Sequence, residues 1–560
     1  MHLLVFSVAL FVVFCHGQEL PRVPAALAGD QNMGGAGVRG RLTHKGTKYV
    51  SEVIAKSLLP VAASSDVANA PVDIPVQSSS VKLSNFKLKI GDLQLTKHAS
   101  VELLPPNQVF VILQNLDLKL ASEINGKLNS EDASGQVDIH SKNYKVEMAV
   151  KITRTPKNTP HFAIEKCKSG QGWESAVEYS GKLSDANLNV LKTSINKAAS
   201  EILEVALCSR LSNTMETHVN ERFGLLDPKI SLAATTDDQL IDDIKSKVNK
   251  RRHQRDILTD ERTLRVRRAE GQAFNISTFN LGRANNLFLD YSIVNDPRVT
   301  QFGVEIDSHG EISLKTSEKT PFGPIDVPLP QNDNGADSML QITVSDFIPN
   351  TLMFHGHDIG LFNTRVDSNT PQFGSIMRTS CDLSTGSLFC IGDLLPTMRK
   401  QHPNQKVAMN FKTVQAPVLL FRPASMGGIA FSLFGHIDVL TMESEKPIGA
   451  FDIEIVATMK MRLTNTMVKG KVNLEKIKLT TRSPKVLLQE ELDDAGLLSR
   501  EVLQRMVNDI LKDGIPIPVH PLFRLNKPKV KVINRALLIQ ADFDLNERLM
   551  NELTGNHFFV

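Results

Sequence analysis

Tryptophan occurs once in this sequence, at Trp173, tyrosine four times, and aromatic residues together make up only 6% of the chain. Any sizeable core must therefore be aliphatic. Cysteine is scarce too, at five residues, and no C-x-x-C spacing occurs, which argues against a zinc ribbon or a dithiol redox motif. There is no G-x-S-x-G elbow and no H-E-x-x-H helix, so no nucleophile or metalloprotease signature is present. His355-Gly356-His357-Asp358 offers metal-ligand types, but a single H-x-H without a further cluster reads as a loop. No apolar run beyond the amino terminus reaches the roughly 20 residues that cross a bilayer. Charge of one sign is also missing overall. The net +3 conceals a local excess, because residues 245–268 carry ten basic side chains against Asp256, Asp260 and Glu261. The remainder is slightly acidic, which argues against nucleic acid as a partner.

What is present begins with MHLLVFSVALFVVFCHG, residues 1–17, without Asp, Glu, Lys or Arg. Its apolar stretch Leu3–Phe14 is too short to span a membrane and ends on small Gly17, as a secretory signal does. Residues 18–36 read as a Pro-, Ala- and Gly-rich leader. The expectation is a secreted, extracellular protein. Cys167, Cys208, Cys381 and Cys390 then remain in an oxidising compartment, and proximity in sequence favours the pairs 167–208 and 381–390. Gly35-Ala36-Gly37-Val38-Arg39-Gly40 matches a dinucleotide fingerprint by letter but lacks the preceding strand, and no cofactor is expected.

The most organised stretch runs from Ser184 to about Phe223. Leu188, Leu191, Ile195, Ala198, Ile202 and Val205, then Leu211, Met215, Val219 and Phe223, recur at helical spacing with a small drift. Lys192, Lys197, Glu201, Glu204 and Arg210 mark the polar face, and Ser184 or Asp185 is placed to cap the start. A shorter helix is expected over Lys45–Leu59, with Val50, Val53, Ile54 and Leu58 on one face and Pro60 closing it. Between the two, Phe86, Leu88 and Ile90, then Leu116, Leu118 and Leu120, then Tyr144 to Ile152, alternate with polar neighbours. Period-two alternation means antiparallel strands with one buried face. A curved sheet wrapped along an apolar helix satisfies that order, giving an N-terminal unit at 37–244.

The basic segment 245–285 reads as a linker. Arg265-Val266-Arg267-Arg268 matches the paired-basic pattern of secretory convertases, and Asn275-Ile276-Ser277 is an N-glycosylation sequon. From 286 to 546 the order repeats: strands, a short helix over SDFIPNTLMF (345–354), and the alternating strand Phe451–Leu463. A second amphipathic helix follows, with Leu498, Val502, Leu503, Met506 and Ile510 inward, and then closing strands. Residues 547–560 form a tail whose Leu549, Met550, Leu553, Phe558 and Phe559 are candidates to plug a pocket mouth or touch membrane.

Several segments resemble a known family. GVRGRLTHKGTKYVSEV (37–53), SDFIPNTL (345–352), GDLLPTMRKQHPNQKVAMNF (392–411) with APVLLF (416–421), and GIPIPVHPLFRL (514–525) followed by VKVINRALLIQADFDL (530–545) are similar to the two-barrel lipid-binding proteins. These are bactericidal/permeability-increasing protein, lipopolysaccharide-binding protein, and the phospholipid and cholesteryl ester transfer proteins. Cys167 and Cys208 resemble the disulfide that pins the long helix to a strand. The resemblance implies an α+β fold of two tandem barrels, each a curved antiparallel sheet around a long amphipathic helix, joined by a central sheet in an elongated boomerang. It implies an apolar lipid pocket in each barrel. Candidate pocket-wall residues are Val50, Val53, Ile54, Leu58, Leu191, Ile195 and Ile202 in the first unit, and Phe347, Leu352, Val502 and Met506 in the second.

Burial of an acyl chain gains about 0.8 kcal/mol per CH₂, so a sixteen-carbon chain resists leaving a membrane by roughly 13 kcal/mol. An aliphatic groove removes that barrier. The expected function is therefore non-catalytic: carriage or transfer of phospholipids or other acyl lipids, with transient contact to membrane or lipoprotein surfaces. The alternative is a lipopolysaccharide-binding, antibacterial recognition protein. Against it, the expected tip loops SSDVANAPVD (64–73) and INGKLNSEDASG (124–135) bring Asp66, Asp73, Glu131 and Asp132, with Lys127 as the one base.

Overall fold

Alternating apolar and polar residues build most of the chain into antiparallel sheet, and amphipathic helices cover part of it, so the fold is α+β with sheet predominating. The computed structural model describes residues 26–27, 35–64, 71–77, 79–91, 99–225, 227–232, 246, 283, 286–314, 320–331, 338–370, 374–381, 389–463, 467–513, 515–516 and 523–554. The expected signal stretch at residues 1–17, Arg265, Arg267, Arg268 and the sequon at Asn275 lie outside these residues.

The chain enters on β1 (Val38–Thr43) and α1 (His44–Ser64). Eight strands follow: β2 (Val72–Val76), β3 (Ser79–Ile90), β4 (Ala99–Leu104), β5 (Gln108–Leu128), β6 (Glu131–Asp132), β7 (Gly135–Arg154), β8 (Pro160–Ser169) and β9 (Glu174–Gly181). They pair in the order β2-β3-β5-β7-β8, with β4 and β6 also on β5 and β9 on β7. The long strands β5 and β7 each pair with different neighbours at their two ends, as a strongly curled sheet requires. Helix α2 (Asp185–Thr214) continues through π-helical turns at Met215–Asn220 to a last turn at Glu221–Phe223. The sequence explains the widening. Leu211, Met215, Val219 and Phe223 step by four, overshooting a 3.6-residue turn each time, and a wider turn takes up the overshoot.

Beyond β10 (Lys229–Ser231) come β11 (Leu287–Asp290), β12 (Arg298–Thr300), β13 (Gly303–Ser308), β14 (Glu311–Leu314), β15 (Leu340–Ser345) and α3 (Phe347–Asp358). Then follow β16 (Thr364–Val366), β17 (Val407–Thr413), β18 (Val418–Leu420), β19 (Ile429–Thr441), β20 (Pro447–Leu463) and β21 (Met467–Thr481). Helix α4 (Gln489–Asp513) precedes β22 (Ile515–Pro516), β23 (Phe523–Ile533), β24 (Ala536–Leu545) and α5 (Glu547–Thr554). A second curled sheet has the order β16-β17-β19-β20-β21-β22, and β10-β11-β14 form a small one.

The remaining sheet, β12-β13-β1-β15-β24-β23, places the first strand of the chain between strands some 265 and 300 residues later. Arg41 shows why β1 belongs there. It stands opposite Glu305 on one side and Gln341 on the other. Its guanidinium, 3% exposed, donates to Glu305 Oε1 at 2.8 and 2.6 Å, to Gln341 Oε1 at 3.0 Å and to the Pro330 carbonyl at 2.6 Å. A buried cation is tolerable when its donors are satisfied in this way. The Gly35–Gly40 fingerprint thus leads into this strand, not into a helix, and no dinucleotide turn forms.

Four sequence expectations need correction. Pro60 does not close α1, which runs on to Ser64. The carbonyl that Pro60 leaves without its helical donor is that of Lys56, an exposed residue. Ser184 makes no side-chain cap; its backbone N–H is held by Glu131 Oε2 at 2.9 Å instead. Arg210 leaves the polar face of α2 and is 2% exposed, while Val205 leaves the apolar stripe and is 39% exposed. The stripe that reaches the sheet is Leu191, Ile195, Ala199, Ile202, Leu203, Ala206, Leu207 and Leu211. On α4, Leu498 turns outward at 62% exposure, and Leu492, Ala495, Leu503 and Val507 face the sheet.

Candidate lipid-binding site

In the N-terminal unit the inward residues of β2–β7 and the stripe of α2 form one large aliphatic cluster. It contains Leu83, Leu113, Leu120, Ile124, Ile139 and Val146 together with Leu191, Ile195, Ile202 and Leu58. Leu191, Ile195 and Ile202 are each 0% exposed and Leu58 4%. All four are walled by protein on every side. Helix α2 is fixed to β8 by the Cys167–Cys208 disulfide, Cα–Cα 5.8 Å. One turn away Glu204 Oε2 accepts the Ser169 N–H at 2.7 Å. Arg210 closes the other side of the helix by donating to the carbonyls of Phe86 on β3 and Ala206. Trp173 stacks edge-on against Tyr144 at 4.9 Å and donates to the Gly170 carbonyl at 3.0 Å. Burial holds the Tyr144 hydroxyl above its ordinary pKa, so it stays neutral in this core.

Val50, Val53 and Ile54 are only half-buried, and they meet a different cluster. Leu525, Phe543, Leu545, Leu549 and Met550, from β23, β24 and α5, pack on them with Tyr49 and Phe223. Leu549 is 1% and Met550 2% exposed, so the start of the expected tail is a docked helix over α1. Phe347 of α3 is buried among Leu27, Phe322, Phe354 and Val418, whereas Leu352 packs on Leu287, Leu289 and Leu361. Val502 and Met506 lie on α4, but their side chains fall outside the described residues. The nine candidates whose side chains are described therefore occupy four separate places; Leu58, Leu191, Ile195 and Ile202 share one cluster, joined at its rim by Ile54.

The residues that sequence reasoning did not single out are in the second curled sheet. Register sets Leu433, Ile455 and Ile477 in one row across β19, β20 and β21, and Phe431, Ala457 and Leu474 in the next. Leu503 and Val507 of α4 approach this face. Ala457 and Leu474 are buried, but Phe431, Leu433, Ile455, Met459, Ile477, Leu503 and Val507 are only half-buried. An apolar face beneath a helix is ordinarily sealed, as it is in the N-terminal unit. Here it keeps accessible aliphatic surface, bounded on the α4 side by Gln504 and Asn508, whose amides bond the β21 backbone at Leu474 and Val472, and that surface suits an acyl chain. The alternation of 451–463 announced the strand; only the register reveals the rows.

Metal-ligand types converge at two places among the described residues: Cys381, Cys390 and Asp393, and Asp138, His140 and Glu178. The first pair of thiols is a disulfide, Cα–Cα 5.3 Å. The second group lies on the outer face of β7 and β9. The H-x-H residues are helical, not a loop, and they diverge: His355 is buried toward Glu311, and His357 Nδ1 meets Thr413 Oγ1 at 2.6 Å.

Residues 282–545 match the C-terminal domain model of the LBP / BPI / CETP family. Over these residues the chain is a member of the LBP/BPI/CETP family. No curated relative matches the chain. Among solved structures, the crystal structure of lipopolysaccharide binding protein aligns with 15% identity and a TM-score of 0.50, covering 91% of this chain and 99% of that one. That likeness extends the LBP/BPI/CETP fold across nearly the whole molecule, including the N-terminal unit. Epiphyas postvittana Takeout 1 aligns over 30% of this chain with a TM-score of 0.22, and latherin over 38% with 0.15. The family is one of lipid-binding proteins, in keeping with the aliphatic clusters. Among the described residues no helix is long and apolar enough to cross a membrane.

Proposed function

We propose that this is a secreted, non-catalytic lipid carrier that takes phospholipid acyl chains into apolar compartments and moves them between membranes or lipoproteins. The two curled sheets are read as tandem barrels about the central sheet, in an elongated boomerang. The carrying observation is the half-buried aliphatic face of Phe431, Leu433, Ile455 and Ile477 under Leu503 and Val507. Each methylene laid against it recovers about 0.8 kcal/mol that water would take away. In the N-terminal unit, an acyl chain would enter by parting α2 from the sheet beside Leu191 and Ile195, or α5 from Val50 and Val53.

Lipopolysaccharide recognition is the second reading, supported by the aligned lipopolysaccharide binding protein. The N-terminal tip disfavours it, since Lys127 stands directly opposite Asp132 and beside Glu131, which leaves no excess positive charge for phosphates. Delipidated protein mixed with vesicles holding fluorescent phosphatidylcholine tests the first reading. Transfer above the spontaneous rate is expected, and a rate equal to the protein-free control overturns it. Tight lipopolysaccharide binding at physiological salt without phospholipid transfer would favour the second.

A further inference from the structure

On the outer face of β20 and β21 the register sets Lys460 directly opposite Lys471 and Arg462 directly opposite Lys469. All four side chains are exposed. Cross-strand neighbours lie about 5 Å apart and alternate residues of a strand about 7 Å, so four cations fill a rectangle smaller than the roughly 8 Å screening length at physiological salt. Like charges directly opposed on a sheet repel. None of the four has an ion pair or side-chain hydrogen bond among the described residues. The connecting residues Leu463-Thr464-Asn465-Thr466-Met467-Val468 contain no acid.

The other half of the same strand pair is built differently. Lys476 reaches Glu454 at 2.8 Å, Lys478 stands opposite Glu454, and Arg482 donates to Asp452 at 2.6 Å. There each of these cations meets an acid; at the far end the residues paired across the strands are cations on both sides. A generally basic surface does not account for this. The chain is only +3, and its ten-cation segment 245–268 exceeds that total by itself. At the same end of the sheet, the turn Ala424–Met426 leads into Ile429, which pairs with Met459. This turn presents Met426 at 62% exposure, beside exposed Arg422.

We infer that this cationic ladder is a docking surface for the phosphate-bearing headgroups of an anionic lipid bilayer, with Met426 reaching the apolar boundary beneath them. One sheet face carrying four cations at 5–7 Å spacing can engage neighbouring phosphates of a bilayer surface, and each Lys or Arg near such a surface adds about fivefold to binding. The exposed methionine distinguishes a bilayer from a soluble polyanion, which has no apolar layer to receive it. The inference does not depend on the transport reading, because adhesion to a surface and uptake of a lipid are measured separately.

The test is co-sedimentation of the full chain with vesicles of 30% phosphatidylglycerol in phosphatidylcholine, against pure phosphatidylcholine, at physiological salt. Binding to the anionic vesicles alone is expected, weakened about thirtyfold in Lys460→Gln/Lys471→Gln. The control Lys87→Gln/Lys89→Gln removes two exposed cations from β3 and should bind within twofold of the unaltered protein. Met426→Gln should weaken binding to a smaller degree. Because Lys460→Gln/Lys471→Gln relieves a repulsion, its melting temperature should equal or exceed that of the parent, so lost binding cannot be laid to unfolding. Equal losses in the β3 control, undiminished binding by the ladder variant, or displacement of the ladder's contribution by heparin but no vesicle dependence would each overturn the inference. Unchanged phosphatidylcholine transfer between uncharged vesicles by the ladder variant separates this surface from the carrier function.

Discussion

Cys208 on α2 is bonded to Cys167 on β8 one helical turn from Glu204, whose carboxylate accepts the Ser169 backbone N–H next along the same strand. The helix is thus held to the sheet covalently and by a charge-assisted hydrogen bond at adjoining points. Closing a loop with a sequence separation of 41 is worth about 4 kcal/mol in the chain-entropy account. Cys208→Ala should therefore raise hydrogen exchange over 160–215 well before 447–513. Equal acceleration in both segments would contradict this.

Arg210 carries a buried charge whose Nη1 and Nη2 donate to the backbone carbonyls of Ala206 and Phe86. Arg210→Met keeps the aliphatic length and removes the donors. A loss of about 1–3 kcal/mol is expected from denaturant unfolding, because the Phe86 carbonyl stays buried without its partner. An unchanged midpoint would show that water takes over.

Leu549 is sealed between α1 and the last strands. Leu549→Ala should cost about 3 kcal/mol by lost burial and a cavity, in the range of core leucine truncations. The measurement is thermal unfolding together with protease sensitivity after 546. A surface-like change below half a kilocalorie would mean that α5 is not docked in solution.

The second curled sheet offers a direct test of the lipid compartment. Ile455→Trp places a large ring in the half-buried face between Leu433 and Ile477. Lipid recovered by mass spectrometry from the purified protein should fall several-fold, with stability lowered by no more than about 1–3 kcal/mol. Full lipid content in this variant would move the compartment elsewhere.

His357 gives a pH dependence. Its burial lowers the imidazole pKa below the ordinary 6.5, against a smaller opposing pull from Asp358. The folded state thus prefers the neutral ring. This contribution is complete above pH 6.5 and is lost as the pH falls through the depressed folded value, because the unfolded chain takes up the proton first. Melting temperatures at pH 7.5 and 5.5 should differ by less in His357→Gln than in the parent; an identical difference would exclude His357 as a source.

Much of the strand and helix content is legible locally. Alternation at Phe86–Ile90 and Phe451–Leu463 marks strands because a pleat sends neighbours to opposite faces. The family resemblance rests on short segments whose order survives. The errors share a cause. Arg210, Val205 and Leu498 sit near the boundary between faces of their helices, where 3.6 residues per turn leaves the assignment to whatever packs alongside. The strand reached by Arg210, β3, lies over a hundred residues earlier. Pro60 failed as a stop where the carbonyl it leaves without a helical donor is that of exposed Lys56, a matter of orientation.

By itself the amino-acid order determined that this is an aliphatic, sheet-rich chain with helix stripes in need of cover and two cysteine pairs close in sequence. Periodicity and proximity are properties of a short window. Tertiary structure alone decided which stripes are sealed and which remain half-open, because that depends on the register of β19, β20 and β21 and on where α4 lies. It alone set β1 between β13 and β15, docked α5 on α1, and brought Lys460, Arg462, Lys469 and Lys471 onto one face. Charge within a sequence says how many cations there are. Only the pairing of strands says whether they stand opposite an acid or opposite each other.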